Sequence, residues 1–300
     1  MSSPIIIFSY NRPKHLNDLI NSLIKNKDAK LSKIYFFCDG PKNQYDIKKI
    51  NEIKKLLKNK KIVFYFKKFR KKNIGLAQNI IKGVSLVLKK HQSCIVLEDD
   101  LILNSYCIKF MSVMLKNFKY KKNIGSISAN SYIDKFNSNK KFDFYISKRH
   151  SSWCWGTWAR VWNKIDWKTK NLDDHFLNKL SIKKLSEAGN DLNLLLWGNY
   201  KKYVNSWAIR FNHYCIIKSL KSIHPRFSMI RNNGRDFSGT HEKFNFELKK
   251  RYDFNPKLGL LKYILNKTID DNDIHYYIKN SHRRSFKLSI KYFLKNLRII

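Results

Sequence analysis

Three consecutive carboxylates, Glu98, Asp99 and Asp100, follow the apolar run 94–97 in a strongly basic chain. Carboxylates at the end of a buried strand are costly unless they bind a positive group. Adjacent hard oxygen ligands favour Mg²⁺ or Mn²⁺, and these ions suit a substrate that carries phosphate. The alternative is that the acids only stabilise the start of a following helix, because negative charge is favourable at a helix N-terminus. The residues alone leave both interpretations open.

The sequence around these acids alternates short apolar strands with amphipathic helices. Strands are predicted at 4–10, 33–40, 61–69, 93–100 and 123–130, and the helices between and after them include 74–91 and 104–118. Strands that alternate with helices imply crossover connections. The pattern therefore predicts an α/β fold with a mostly parallel sheet flanked by helices.

Polar groups stand where three of these predicted strands end. They are Asn11-Arg12 after the first strand, Asp39-Gly40 after the second, and the acidic triplet after the fourth. Open parallel sheets bind their ligands at the carboxyl ends of the strands. We therefore expect these groups to line one crevice.

The charge balance restricts the choice of partners. The chain has 61 Lys and Arg against 22 Asp and Glu, which gives a formal net charge of +39. Such a balance suits nucleic acid, an anionic membrane or acidic small molecules. The lysines are spread along the chain and no nucleic-acid-binding module is recognisable, so we expect no specific nucleic-acid partner. The alternative is that a Lys-, Asn- and Ile-rich composition produces the charge without any partner.

Cysteine usage and hydropathy predict a cytoplasmic protein. The five cysteines are odd in number, scattered and without a CxxC pair, which argues against a disulfide framework and a structural zinc site. The N-terminus lacks the basic segment and cleavage site of a signal peptide, and no apolar run reaches the length of a membrane helix. The segment 286–300 can form a basic amphipathic helix on the inner face of the plasma membrane, or dock on its own domain.

Tryptophans cluster in the segment 151–162, where the regular alternation of strand and helix is lost. Large aromatic residues are mostly buried, so we expect most of this cluster in the core. One member, Trp155 or Trp158, is expected to reach the site. No linker precedes the cluster, which indicates a subregion packed on the same sheet.

Seven segments together resemble a known family. They are PIIIFSYNRPKHL, FFCDGPKN, NIGLAQNI, VLEDDL, SSWCWGTWARVW, NSWAIRF and NNGRDFSGTH, in this order. They are similar to bacterial sugar transferases of the GT-A fold, in the branch related to eukaryotic N-acetylglucosaminyltransferase I. The resemblance implies a nucleotide-sugar-binding Rossmann-like half at 1–135, an acceptor and catalytic half at 136–250, and a basic helical tail at 251–300.

The same resemblance implies a nucleotide site. Tyr10, Asn11 and Arg12 would touch the nucleotide at the end of the first strand. Asp39 would hydrogen-bond the base or ribose, and Gln78 would be the main polar contact of the stretch 73–79.

The resemblance also implies a metal and diphosphate site. The triplet stands at the position of the family's DXD-type motif, so Asp100 would bind Mn²⁺ or Mg²⁺. Asp99 would meet the sugar or ribose, and Glu98 would complete the nucleotide-sugar site. The loop 234–241 would close over the diphosphate, with contacts from four residues: Arg235, Ser238, Thr240 and His241, the last as a metal or phosphate ligand.

The general base is the uncertain member of the implied set. Relatives commonly carry an Asp just before the SWAIR segment, where this chain has Asn205. Neither Asn205 nor Ser206 is an effective base at neutral pH. We expect Asp191 to be the base, with Asp236 as the second choice. The alternative is that Asp191 is an ordinary residue at a helix start.

The implied activity is metal-dependent, inverting transfer of a sugar, with a UDP-sugar as the expected donor. The acceptor would be a glycan or lipid-linked glycan in lipopolysaccharide or capsule synthesis. One alternative is a sugar nucleotidyltransferase of similar fold, but the segment 9–16 has no glycine for a phosphate-binding loop. Another is a non-enzymatic basic protein that binds polyanions.

Overall fold

A computed structural model of the chain describes residues 2–133, 142–168, 172–234 and 268–281. Across these ranges no helix is both long enough and apolar enough to cross a membrane. The predicted tail helix at 286–300 lies outside the described residues.

The described part contains strands and helices in alternating order. The strands are β1 Ile5–Ser9, β2 Ile34–Cys38, β3 Phe66–Phe69, β4 Ser93–Glu98, β5 Leu101–Leu103, β6 Ile124–Ser128, β7 Phe144–Ser147, β8 Trp155–Trp158, β9 Lys221–Pro225, β10 Ile230–Asn232 and β11 Thr268–Ile269. The helices are α1 Pro13–Ile24, α2 Gln44–Lys58, α3 Leu76–Leu88, α4 Cys107–Asn117, α5 Ala159–Trp162, α6 Leu172–Leu177, α7 Lys179–Ala188, α8 Leu192–Tyr200, α9 Trp207–Ile217 and α10 Asn272–Ser281, with a 3-10 turn at Lys27–Leu31.

Nine of the described strands form one sheet in the order β11-β7-β9-β6-β8-β4-β1-β2-β3. The pairs β4-β1, β1-β2 and β2-β3 are parallel, as are β6-β9 and β11-β7. Strand β8 runs antiparallel to both β4 and β6, and β7 runs antiparallel to β9. The α/β class and the mostly parallel sheet are confirmed, and the antiparallel β8 in the middle is the feature that the sequence pattern did not indicate.

Helices cover both faces of the sheet. Trp155 and Gly156 are consecutive in β8 and therefore point to opposite faces. Trp155 meets Phe211 of α9 on one face, and Gly156 lies against Leu115 of α4 on the other. Buried apolar side chains recur at helical spacing in α1, α3 and α4, which is why these segments pack on the sheet as helices. The sheet is thus buried on both sides, and every residue of β1, β6 and β8 is buried.

The third strand is shorter than predicted, because regular pairing with β2 begins only at Phe66. The preceding residues are not in a strand, and Val63 is 88% exposed. The sheet also takes strands from all three predicted segments, since β11 lies beyond residue 250 and pairs with β7. The boundaries at 135 and 250 stay predictions.

Candidate functional site

The carboxyl ends of β1, β2 and β4 meet at one edge of the sheet, because these strands are parallel neighbours. The turn after β1, residues 9–12, lies between the ends of the other two strands. The backbone N–H of Asp39 donates to the Ser9 carbonyl at 3.0 Å, and the Tyr10 N–H donates to Asp99 Oδ2 at 3.2 Å. The fold thus brings the three predicted polar groups together, and the first turn links them.

Asp99 is the buried member of the acidic triplet, with 3% of its surface exposed. Its Oδ2 accepts from Ser9 Oγ at 2.9 Å and from the Tyr10 N–H, while its Oδ1 lies 3.0 Å from Arg12 Nη2. Both carboxylate oxygens therefore face the turn at 9–12. The carboxylate fixes that turn, and its contact with a sugar or ribose stays a prediction.

Asp100 and Glu98 are acids whose negative charge, once they ionise, the described protein compensates only in part. Asp100 Oδ2 lies 3.5 Å from Arg12 Nη2, a long contact for an ion pair. Burial and the neighbouring Asp99 raise the pKa of Asp100 to about 6, although Arg12 opposes the shift. Burial and the charges of Asp100 and Asp99 raise the pKa of Glu98 to about 8. The group therefore has the charge and the oxygen donors to bind a cation, and binding one would relieve this repulsion.

The number of protein ligands near that position is small. Within the described ranges no group of three or more His, Cys, Asp or Glu side chains is arranged to hold a metal ion. Mg²⁺ and its relatives are commonly held by one or two carboxylates plus waters and substrate phosphates. Asp100 as a single protein ligand fits that type of site, and further ligands would have to come from a substrate, from water or from other parts of the chain.

The segment that precedes the predicted diphosphate loop lies directly on Asp100. Strand β10 pairs antiparallel with β5, and the Asn233 N–H donates to the Asp100 carbonyl at 2.7 Å. A Cβ on Gly234 would lie 2.5 Å from Asp100 Oδ2 and 3.1 Å from Arg12 Nη1, so only glycine fits here without displacement. Gly234 is the first residue of that loop, and the side chains expected to act in it lie outside the described residues: Arg235, Asp236, Ser238, Thr240 and His241. The described chain nevertheless brings the start of this loop to the acidic triplet.

Tyr10 and Asn11 are partly exposed, and both are tied to one buried acid that the sequence did not single out, Asp46. The Tyr10 hydroxyl donates to Asp46 Oδ2, and Asn11 Nδ2 donates to Asp46 Oδ1 at 2.7 Å. Burial and the bond to Asp46 raise the pKa of Tyr10, so its hydroxyl remains a donor. No sequence motif marks Asp46, which lies in the first turn of α2 like many acids of no special function.

Asp39 lies at the end of β2 and organises the loop that follows β3. Its Oδ1 accepts from the backbone N–H groups of Gly40 at 2.8 Å and Ile74 at 3.0 Å. The Asn73 amide donates to the Gly40 carbonyl at 2.9 Å, which draws the stretch 73–79 to the same edge. Gln78 is partly exposed beside it in α3 and forms no hydrogen bond to the described residues. The nucleotide-binding roles of Asp39 and Gln78 stay predictions.

Asp191 precedes α8 and is 2% exposed. Its two oxygens accept from Arg149 Nη1 at 2.7 Å and Nη2 at 3.0 Å, in a bidentate ion pair. A carboxylate held in this way is stabilised in its charged form and is a weak proton acceptor. The ion pair therefore supports a structural role as the alternative to the predicted catalytic one.

Asn205, at the position where relatives carry an Asp, also has a structural partner. Its Oδ1 accepts from Arg210 Nη2 at 2.7 Å, and Arg210 Nη1 donates to the Trp167 carbonyl at 2.6 Å. The side chain holds the start of α9 in place, which an amide oxygen can do without a charge.

The tryptophan cluster is core. Trp155, Trp158 and Trp162 are at most 2% exposed, so the expectation that Trp155 or Trp158 reaches the site is wrong. Trp155 stacks on Trp207 with ring centroids 4.7 Å apart and also packs on Trp162. These rings pack between β8 and the helices over it.

No protein-family model matches the chain, and no curated protein matches it. Among solved structures it is similar to the mannosyltransferase PcManGT from Pyrobaculum calidifontis in complex with GDP-Man and Mn²⁺, at 7% identity and a TM-score of 0.38 over 52% of this chain and 44% of that one. It is also similar to S. aureus TarS 1–349, at 13% identity and a TM-score of 0.34 over 53% of this chain and 47% of that one. TarS 1–349 in complex with UDP-GlcNAc gives 16% identity and a TM-score of 0.32 over 47% and 37%.

The chain thus matches less than half of the length of each of these proteins.

Proposed function

We propose that this chain is a metal-dependent glycosyltransferase that takes a sugar from a nucleotide-sugar donor. The observation that carries the proposal is the acidic triplet. Glu98, Asp99 and Asp100 end a buried strand, where burial and the charges of the neighbouring acids raise the pKa values of Glu98 and Asp100. Arg12 is the cation that contacts two of them. A site with this surplus of oxygen donors suits a divalent cation and a phosphate-bearing substrate.

In the proposed site Asp100 holds Mn²⁺ or Mg²⁺, with His241 as a further candidate ligand. The bound metal would neutralise the charge that develops on the leaving diphosphate. Asp99 has the separate task of holding the turn at 9–12 through Ser9, Tyr10 and Arg12. Arg12 in turn places a positive charge beside Asp100, where the phosphates of a donor would lie.

The nucleotide lies, in this proposal, along the edge from Tyr10 to Asp39. Tyr10, Asn11 and Gln78 present partly exposed side chains there. Asp39 Oδ1 is engaged by Gly40 and Ile74, which fixes the orientation of the carboxylate toward a base or ribose. A UDP-sugar remains the expected donor, and Arg235 and Ser238 are expected to contact its diphosphate.

The acceptor substrate and the general base form the other half of the proposed site. We expect inversion at the sugar carbon, which requires a base that takes the proton of the acceptor hydroxyl. Asp191 and Asp236 are the candidates, and the Arg149 ion pair would have to loosen for Asp191 to serve. A glycan or lipid-linked glycan of lipopolysaccharide or capsule suits the family resemblance. The net charge of +39 favours electrostatic attraction to the anionic inner face of the plasma membrane, where we propose that the protein acts.

Thermal stability with a panel of nucleotide sugars, each with and without Mn²⁺, tests the proposal. We expect the parent protein to be stabilised by Mn²⁺ together with one donor, and to hydrolyse that donor slowly. Asp100→Ala should lose the metal-dependent stabilisation and keep the parent's own melting temperature, because among the described residues the ion pair of its side chain is the long contact to Arg12. Asp174→Ala, at an exposed acid of α6, serves as the control and should respond like the parent. A parent that no nucleotide sugar stabilises, or an Asp100→Ala variant that responds fully, would contradict the proposal.

A further inference from the structure

Asp46 is a buried acid with an unusual number of partners. It is 3% exposed and lies in the first turn of α2. Its carboxylate accepts from the Tyr10 hydroxyl, from Asn11 Nδ2 at 2.7 Å and from the Lys42 N–H at 2.8 Å. Burial opposes its ionisation, but the hydrogen bonds from Tyr10, Lys42 and Asn11 outweigh burial and lower the pKa of Asp46. The carboxylate is therefore charged and accepts from three groups in two segments, the turn at 9–12 and the loop before α2.

These partners leave Asp46 little capacity to bind a ligand directly. An ionised carboxylate offers about four acceptor positions and no donor. Three are used by the partners named above, and the side chain is almost entirely covered by protein. Any influence on a ligand must pass through Tyr10 and Asn11, the two partly exposed side chains that it holds.

The carboxylate also decides which way these side chains face. Because Asp46 only accepts, Asn11 must turn its NH₂ group inward, and its Oδ1 then faces away from Asp46. Tyr10 likewise donates its hydroxyl proton to Asp46, so this hydroxyl has no proton left to donate to a ligand. Asn11 can thus accept from a ribose hydroxyl or a base N–H, and Tyr10 can pack against a flat base.

The turn at 9–12 is therefore held from two sides by two carboxylates. Asp99, at the end of β4, holds Ser9 Oγ, the Tyr10 N–H and Arg12. Asp46, on α2, holds the side chains of Tyr10 and Asn11 from the other side. Two rigid elements thus fix one short turn, which is the arrangement expected of a site whose contacts are set before the ligand arrives.

We propose that Asp46 is a positioning residue of the nucleotide site, which orients Tyr10 and Asn11 toward the nucleoside of the donor. The proposal rests on the function proposed above. A pre-oriented pair of contacts lowers the conformational cost of binding, so loss of Asp46 should weaken nucleotide binding without removing any atom that touches the ligand.

Titration calorimetry with UDP and with GDP, each in the presence of Mn²⁺, tests this inference. Asp46→Asn offers an NH₂ group to the donors of Tyr10, Asn11 and Lys42, so it should release at least one of them. We expect its nucleotide dissociation constant to rise about tenfold or more. Tyr10→Phe keeps the ring and removes only its bond to Asp46, and we expect a rise of roughly threefold. In the double variant the two effects should not add, since they remove the same contact.

Asn43→Ala is the matched control for a purely structural effect. The Asn43 side chain caps α2 by accepting from the Asp46 N–H at 3.0 Å, and it touches neither Tyr10 nor Asn11. Loss of this cap should lower the melting temperature and leave the nucleotide dissociation constant unchanged.

The outcomes separate this inference from the function on which it rests. A parent protein that binds neither UDP nor GDP overturns both. A parent that binds one of them, with Asp46→Asn binding it equally well, overturns the role of Asp46 alone. An Asp46→Asn variant that does not fold leaves the decision to Tyr10→Phe, whose unchanged affinity would also overturn the role. Asn43→Ala weakening binding as much as Asp46→Asn would show that only the stability of α2 matters, and that too would overturn it.

Discussion

The Arg149–Asp191 ion pair allows a direct test of whether Asp191 is a catalytic base or a structural acid. Arg149 is 9% and Asp191 2% exposed, and two short contacts join them. Asp191→Asn would leave the guanidinium buried without its counter-charge. Breaking a buried pair from one side costs about 3–5 kcal/mol, so the melting temperature should fall by roughly 6 °C or more.

Two further variants serve as references for the change in melting temperature of Asp191→Asn. Glu187→Gln breaks a pair with Lys148 whose side chains are 37% and 40% exposed, so it should cost less than about 1 kcal/mol. The double variant Arg149→Met with Asp191→Leu replaces the buried pair by apolar side chains of similar size. It should recover most of the lost stability, because no charge is then left buried.

Transfer assays on folded protein, well below the melting temperature, complete the test. Loss of a general base lowers the rate by about 10²-fold or more. An Asp191→Asn variant that melts within experimental error of the parent while its rate falls by that factor would refute the structural interpretation. A variant that melts much lower yet transfers at the parent's rate when folded would remove Asp191 as the base and leave Asp236 next in line.

Two further perturbations follow from the geometry. Gly234→Ala places a methyl group 2.5 Å from Asp100 Oδ2. It should weaken Mn²⁺-dependent nucleotide binding about tenfold with little loss of stability, since the strain falls on the site. Calorimetry measures the affinity, and a variant that binds like the parent would mean that Asp100 can shift freely. Burial lowers the pKa of His224 from 6.5 to about 4. As the pH falls, the unfolded chain therefore binds the proton before the folded protein does. The stability that depends on neutral His224 is complete above pH 6.5 and is lost as the pH falls toward 4. The free energy of unfolding should fall by about 3 kcal/mol over that range because of His224. Unfolding measurements from about pH 7 to 4 should show a smaller fall for His224→Gln than for the parent. Equal falls in the two proteins would contradict the assignment.

Part of the site followed from the order of residues along the chain. Asn11-Arg12, Asp39 and the acidic triplet each follow an apolar strand, and parallel strands end at one edge wherever helices connect them. Their meeting could therefore be predicted. The partners of each side chain could not, because Asp99 turns toward Ser9 and Tyr10 through contacts some 90 residues apart in the chain.

Periodicity within short segments predicts the α/β class, the positions of strands β1, β2 and β4 and the amphipathic helices between the strands, because it depends on neighbouring residues alone. The packing of distant segments sets the antiparallel direction of β8 in the middle of the sheet and buries its tryptophans in the core. It also decided that Asp46 holds Tyr10 and Asn11, and that Arg149 occupies both oxygens of Asp191. The physical reason is that a buried carboxylate must find donors, and which donors surround it depends on how distant segments pack.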